Sequence, residues 1–264
     1  MLKILFNAKR AERHPVEMML IGFFYATISI LLSLFILPEY ASLVMVFFTV
    51  ISCLYVVQKA IISEEIKDKY YKSEEKMMKS HVEALKFLMF LFFGFVIAFT
   101  LWTIILPHSF VSASFNLQSA SINEIKSLTG NAFSDSGFYP IIINNLKVAF
   151  ISFLLALFYG AGAIFVLVWN ASIMGFMIGD LARNTLGLVS LPSIFLKYFL
   201  HGFPEMIAYF VAALAGGILF ISLIKGDLLI KPKKIAFDVV LLILAAIFLL
   251  IFAALIEVYV SPFI

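Results

Sequence analysis

The residues best suited to chemistry in this 264-residue sequence form one short run, His201-Gly202-Phe203-Pro204-Glu205. Pro204 has no amide hydrogen and suits the first turn of a helix, while Gly202 permits a sharp bend before it. The run therefore predicts a helix break near 200–204, with a new helix over Pro204–Ile224. Glu205 then falls in the first turn, where exposed amides and the helix dipole favour a carboxylate. His201 stands just across the break, within hydrogen-bonding reach. Two readings follow. One is a polar site at a broken helix, the arrangement many transporters use for substrates or ions. The other is a capped break with a purely structural role.

Other polar residues in apolar surroundings need a reason too, because ionisable side chains are expensive in hydrocarbon. Asn144, Asn145 and Lys147 lie at one end of an apolar run and are expected on the same side of a membrane as Glu205. Lys147 or His201 would then offset the Glu205 charge, unless Lys147 snorkels to the interface. Asp180 and Arg183, three apart on a helix, are expected to neutralise each other, with an ion pathway as the alternative. Asp238 and Glu257 sit near opposite ends of the last apolar run, where interfacial exposure is expected. The four histidines, His14, His81, His108 and His201, are scattered, and a metal site needs three or more ligands within reach. No metal and no cofactor is expected. Neither a phosphate loop, nor HExxH, nor a nucleophile elbow occurs, so an intramembrane hydrolase is disfavoured. The single cysteine, Cys53, lies in an apolar run and is expected to be a small buried residue.

The elements that position these residues follow from composition. Hydrophobic residues make up 63% of the chain and charged residues 13%, against roughly 25% charged in a soluble domain. Lipid must replace water over much of the surface, and nucleic acid is excluded as an obvious partner by a net charge of only +3. The sequence predicts an all-α, polytopic transmembrane bundle of six to seven segments, each crossing needing about 20 apolar residues. Six runs qualify: Val16–Leu37, Tyr40–Val57, Leu85–Leu106, Ile141–Trp169, Pro204–Ile224 and Ile235–Val258. Asn170–Phe203, with a polar middle and Pro192, is open between a crossing, a re-entrant pair and an interfacial segment.

Lysine and arginine mark cytoplasmic loops. Lys3, Lys9, Arg10 and Arg13 place the N-terminus inside. The six lysines between Lys59 and Lys79 and the turn Lys225–Lys234 should also be inside. The Pro107–Pro140 loop, with only Lys126, should be outside, as should the C-terminal SPFI. Parity then requires Asn170–Phe203 to reach the outer face once, giving seven crossings. Residues 1–84 form an N-terminal hairpin with a charged loop expected to extend two helices into the cytoplasm through i,i+4 ion pairs. Residues 85–264 form a membrane core, with 107–140 as an aromatic-bearing cap on the outer face. Small residues recur every fourth position at Ala208, Ala212 and Gly216, at Gly175 and Gly179, and at Ala156 and Gly160. Such faces allow close helix approach, so these helices are expected at the tightly packed centre or at a self-association surface.

Three stretches, NNLKVAFISFLLALFYGAGAIFVLVWNASIMGFMIG, HGFPEMIAYFVAALAGG and AALIEVYVSP, resemble the stage II sporulation protein M family. Its recurring features are matched by Asn144 and Asn145, by His201, Gly202 and Glu205, and by Glu257 before Ser-Pro. The resemblance runs from about Leu85 to the end, and the N-terminal part looks like archaeal members. Ala171 departs from the family, where a glycine usually follows the asparagine. The resemblance implies a plasma-membrane protein; the family's sporulation member is a scaffold for a peptidoglycan-remodelling complex. The expected function is thus a non-enzymatic scaffold with the bilayer and other proteins as partners. The alternative is a transporter or channel component using His201 and Glu205.

Overall fold

The computed structural model describes the backbone of residues 15–70, 74–129, 138–159 and 163–263, and the side chains of 16–57, 85–124, 138–158 and 164–263. Among these residues every regular element is helical. The main helices are α1 (Pro15–Ile36), α2 (Ala41–Tyr70), α3 (Glu74–Ile105), α4 (His108–Thr129), α5 (Phe138–Tyr159), α6 (Ala163–Asn184), α7 (Leu191–Lys225), α8 (Asp227–Ile230) and α9 (Pro232–Tyr259). Seven of them, all but α4 and α8, are long and apolar enough to cross a membrane. In lipid a helix satisfies its own backbone, which is why apolar runs of this length fold this way.

The seven spans are distributed differently from the sequence expectation. Two helices, α5 and α6, stand where Ile141–Trp169 was read as one span. A single 29-residue helix would be about 43 Å long, whereas helices of 22 residues measure about 33 Å, close to the hydrocarbon thickness. Asn170 consequently lies inside α6 and marks no turn. The seventh candidate span is α6, which begins before the Asn170–Phe203 segment expected to supply it.

The expected break near 200–204 is absent. The helix α7 runs without interruption through 35 residues, with Pro204 in its interior. Pro204 removes the amide that would bond the Leu200 carbonyl, a loss of one hydrogen bond. Breaking the helix in hydrocarbon would strip several backbone groups of their partners, each worth several kcal/mol. Continuity is the smaller sacrifice. Gly202 is buried within this helix and makes no bend.

The charged stretch after the second span is helical at both flanks, since α2 continues to Tyr70 and α3 begins at Glu74. Its expected ion pairs fall outside the described side chains, as do His14, His81, Lys126 and Gly160. The 107–140 segment contains α4, whose backbone departs from helical geometry at Phe115 (φ −127°, ψ 19°).

The chain divides into two compact units. The first comprises Met1–Ser119 with Val168–Arg183; the second comprises Ala120–Leu167 with Asn184–Ile264. In the first, α1 and α3 cross at paired glycines. A methyl group on Gly22 would lie 2.5 Å from the Leu91 carbonyl oxygen, and one on Gly94 would collide with the Met19 carbonyl. Gly175 and Gly179 of α6 press against α3 in the same manner, at Phe99 and Thr103. Cys53 is buried with a free thiol.

In the second unit, α7 packs against both α5 and α9. Ala208, Ala212 and Ala215 are buried, and a side chain on Gly216 would collide with the Phe153 carbonyl of α5. Ala215, Ile235 and Val239 form an apolar cluster against which Phe153, Ile218 and Leu228 pack. The small-residue faces expected to meet in one centre therefore serve separate units: Gly175 and Gly179 the first, Ala156, Ala208, Ala212 and Gly216 the second.

Candidate functional site

Three polar residues of α7 recur at every fourth position: His201, Glu205 and Tyr209. This spacing puts them on one helix face, and an unbroken α7 is what aligns them. The face meets α5 on one side and the end of α9 on the other.

Asn145 of α5 donates from Nδ2 to Glu205 Oε1 at 2.5 Å, and Tyr209 donates its hydroxyl to Asn145 Oδ1 at 3.0 Å. The Asn145 amide, able both to donate and to accept, joins two side chains of α7. Asn145, at 6% exposure, thus spends both its donor and its acceptor on α7. Glu257 of α9 lies within electrostatic range of both Glu205 and Tyr209. It is half-buried near the end of α9. The helix end is drawn in by packing at Ala253 and Ala254, both fully buried one turn earlier.

His201 Nδ1 lies 3.0 Å from Ser261 Oγ, just beyond α9. The Tyr198 ring meets the His201 ring edge-on, with centroids 5.9 Å apart. A serine and a histidine at this distance satisfy the geometry of a nucleophile and its base. Ser261 is however only 3% exposed, so its hydroxyl is enclosed by protein. Among the described residues no group of three or more His, Cys, Asp or Glu side chains could hold a metal ion.

The other sequence candidates are placed apart from this cluster or at its edge. Gly202 is buried beside His201. Asn144 is half-buried, and Lys147 is exposed on α5. In the first unit, Arg183 donates from Nη1 to the carbonyls of Thr103 and Leu106, at 3.0 and 2.6 Å. These carbonyls close α3, where backbone acceptors lack intrahelical donors and a cation is favoured. Asp180 sits one turn earlier on α6, half-buried.

Sequence reasoning overlooked several participants. Tyr209 carried a signal, four residues after Glu205. Ser261 carried none beyond its place in the Ser-Pro motif. A neutral network in the first unit was also missed. There Ser42 Oγ donates to Gln118 Oε1 at 2.6 Å, and Gln118 Nε2 donates to Ser172 Oγ at 3.0 Å. Nearby Phe115, 1% exposed, stacks on Phe176 with centroids 5.2 Å apart. Three residues far apart in sequence cannot announce such a meeting.

Comparison with known proteins covers the whole cluster. The family model described as Stage II sporulation protein M matches residues 41–262. No curated protein and no solved structure is significantly similar to the chain. The match takes in most of the chain, and with it Asn145, His201, Glu205, Tyr209, Glu257 and Ser261. The chain belongs to the stage II sporulation protein M family.

Proposed function

We propose that this integral membrane protein of the stage II sporulation protein M family is a non-enzymatic scaffold, a partner-binding component of a plasma-membrane complex. Its N-terminus lies in the cytoplasm and its C-terminus outside, as the lysine distribution demands. The polar cluster then sits toward the outer side, because Asn145 is near the start of α5 and Glu257 near the end of α9. Its role is to join three helices. The observation that carries this reading is the chain Tyr209–Asn145–Glu205, in which each polar side chain is engaged by another helix of the same unit. A site awaiting a substrate keeps its polar groups open; here they are spent on one another. The continuous α7 also removes the broken-helix geometry on which a transporter reading drew.

A second reading keeps one observation in its favour, two carboxyl-bearing residues, Glu205 of α7 and Glu257 of α9, within electrostatic range of each other. Such a pair suits a proton or cation pathway. Glu205→Gln separates the two readings, since glutamine still accepts from Asn145 but carries no charge. The scaffold reading expects E205Q to fold, to cross-link to the same neighbours in native membranes, and to leave proteoliposome ion permeability at the lipid background, as in wild type. A flux through wild-type protein that E205Q abolishes would establish the transporter instead.

A further inference from the structure

The turn between α7 and α9 combines three features that neither the scaffold role nor the polar cluster uses. Gly226 adopts the left-handed conformation (φ 74°) and ends α7, its amide bonding the Leu223 carbonyl. The single turn α8 follows, closed by Lys231 N–H to Asp227 O at 2.8 Å, and Pro232 opens α9. Leu228 and Ile235 tie this turn to the apolar cluster around Ala215 and Val239. With those two turned inward, the remaining residues are forced out.

What protrudes is both greasy and basic. Leu229 is 89% and Ile230 72% exposed, and they are followed at once by Lys231, Lys233 and Lys234, all exposed. The only acidic residue within the turn is Asp227. Leu229 and Ile230 lie at the junction of two membrane spans, where the hydrocarbon gives way to headgroups. Apolar side chains beside lysines at this depth are the pattern of an interfacial segment, with the apolar part at the acyl boundary and the ammonium groups among phosphates.

We propose that this turn is a binding site for anionic phospholipid, with Lys231, Lys233 and Lys234 on the headgroup phosphate and Leu229 and Ile230 against the upper acyl chain. Charge complementarity selects an anion. The exposed leucine and isoleucine select a lipid over a soluble phosphate, which would leave them in water. Their tethering within five residues of both spans selects the bilayer over a protein approaching from solution. Near an anionic surface each lysine contributes about a fivefold preference, so the three together should exceed tenfold.

The full-length protein is purified in neutral detergent, and retained lipid is quantified by native mass spectrometry. The probes are phosphatidylglycerol and phosphatidylcholine of identical chains, with glycerol 3-phosphate as the soluble control. Wild type should retain phosphatidylglycerol at least tenfold over phosphatidylcholine, and glycerol 3-phosphate should not compete at equal concentration. K231Q/K233Q/K234Q should lose the preference and K231R/K233R/K234R should keep it. L229S/I230S should weaken retention of both lipids while sparing their ratio. These residues are exposed, and a matching gel-filtration profile verifies each variant's fold. Equal retention of the two lipids by wild type, an unaltered preference in the glutamine triple variant, or full competition by glycerol 3-phosphate would each overturn the proposal. So would an acidic protein copurifying stoichiometrically through the three lysines in lipid-free preparations.

Discussion

The two compact units hold apolar helices together by different means, although lipid competes with both for apolar contacts. In the first, α1, α3 and α6 approach through glycines: Gly22 against Leu91, Gly94 against Met19, Gly175 and Gly179 against Phe99 and Thr103. Its interhelical polar bonds run through Ser42, Gln118 and Ser172, through Trp102 on Thr27, and through Arg183 on main-chain carbonyls. The second unit also has a close glycine approach, Gly216 on Phe153. Its polar bonds, by contrast, run through Glu205 and His201. Lipid tails are as apolar as leucine, so association inside a membrane rests on packing and interhelical hydrogen bonds. The first unit relies mainly on fit; the second places titratable groups where fit alone would have served. That difference sets the second unit apart.

The largest effect should come from fit. Gly94→Val forces a side chain onto the Met19 carbonyl, and backbone cannot yield as a side chain can. The loss should be about 3 kcal/mol or more, at the upper end for overpacking, read as a lowered unfolding midpoint in detergent. A Gly94→Val protein as stable as wild type would dissolve the contrast between the units.

Next, Glu205→Ala leaves the Asn145 amide without its acceptor and should lower stability by about 1–3 kcal/mol. Glu205→Gln should recover most of it. If alanine and glutamine prove equally stable, the carboxyl is no joint.

Arg183→Met tests whether the first unit depends on charge at all. It strips donors from the Thr103 and Leu106 carbonyls and should cost about 1.5 kcal/mol. The loss should appear as faster amide exchange at the end of α3.

The smallest effects should be matched across the units. Gln118→Leu in the first and Tyr209→Phe in the second each delete interhelical hydrogen bonds, worth about 0.6 kcal/mol apiece in membrane proteins. Thermal melts should therefore rank both variants close to wild type, Gln118→Leu slightly below. A large loss for Tyr209→Phe alone would show that the second unit's network is cooperative.

How much of this was legible in the sequence depended on the range of the physics involved. The helical membrane architecture follows from local hydropathy, and α1, α3 and α9 lie close to their apolar runs. The division into α5 and α6 was hidden because both helices are apolar where they approach each other in sequence, and hydropathy cannot separate two apolar helices so close together. At Pro204 local propensity misled: proline and glycine read as a break, and the demand for backbone hydrogen bonds in lipid overrode them. The cluster was half visible. His201, Glu205 and Asn145 stood out as polar residues in apolar stretches. Which atoms meet depended on register, which places Tyr209 beside Asn145 and leaves Lys147 exposed. Gly22 and Gly94 form no motif, and their pairing exists only in the packed α1–α3 crossing.

The bond between Asn145 and Glu205 is the joint between α5 and α7. A double-mutant cycle measures it directly, comparing the stabilities of Asn145→Ala, Glu205→Ala and the double variant in lipid nanodiscs. A coupling energy of about 1 kcal/mol or more is the predicted result. Additivity within about 0.3 kcal/mol would mean that the two side chains do not hold these helices together.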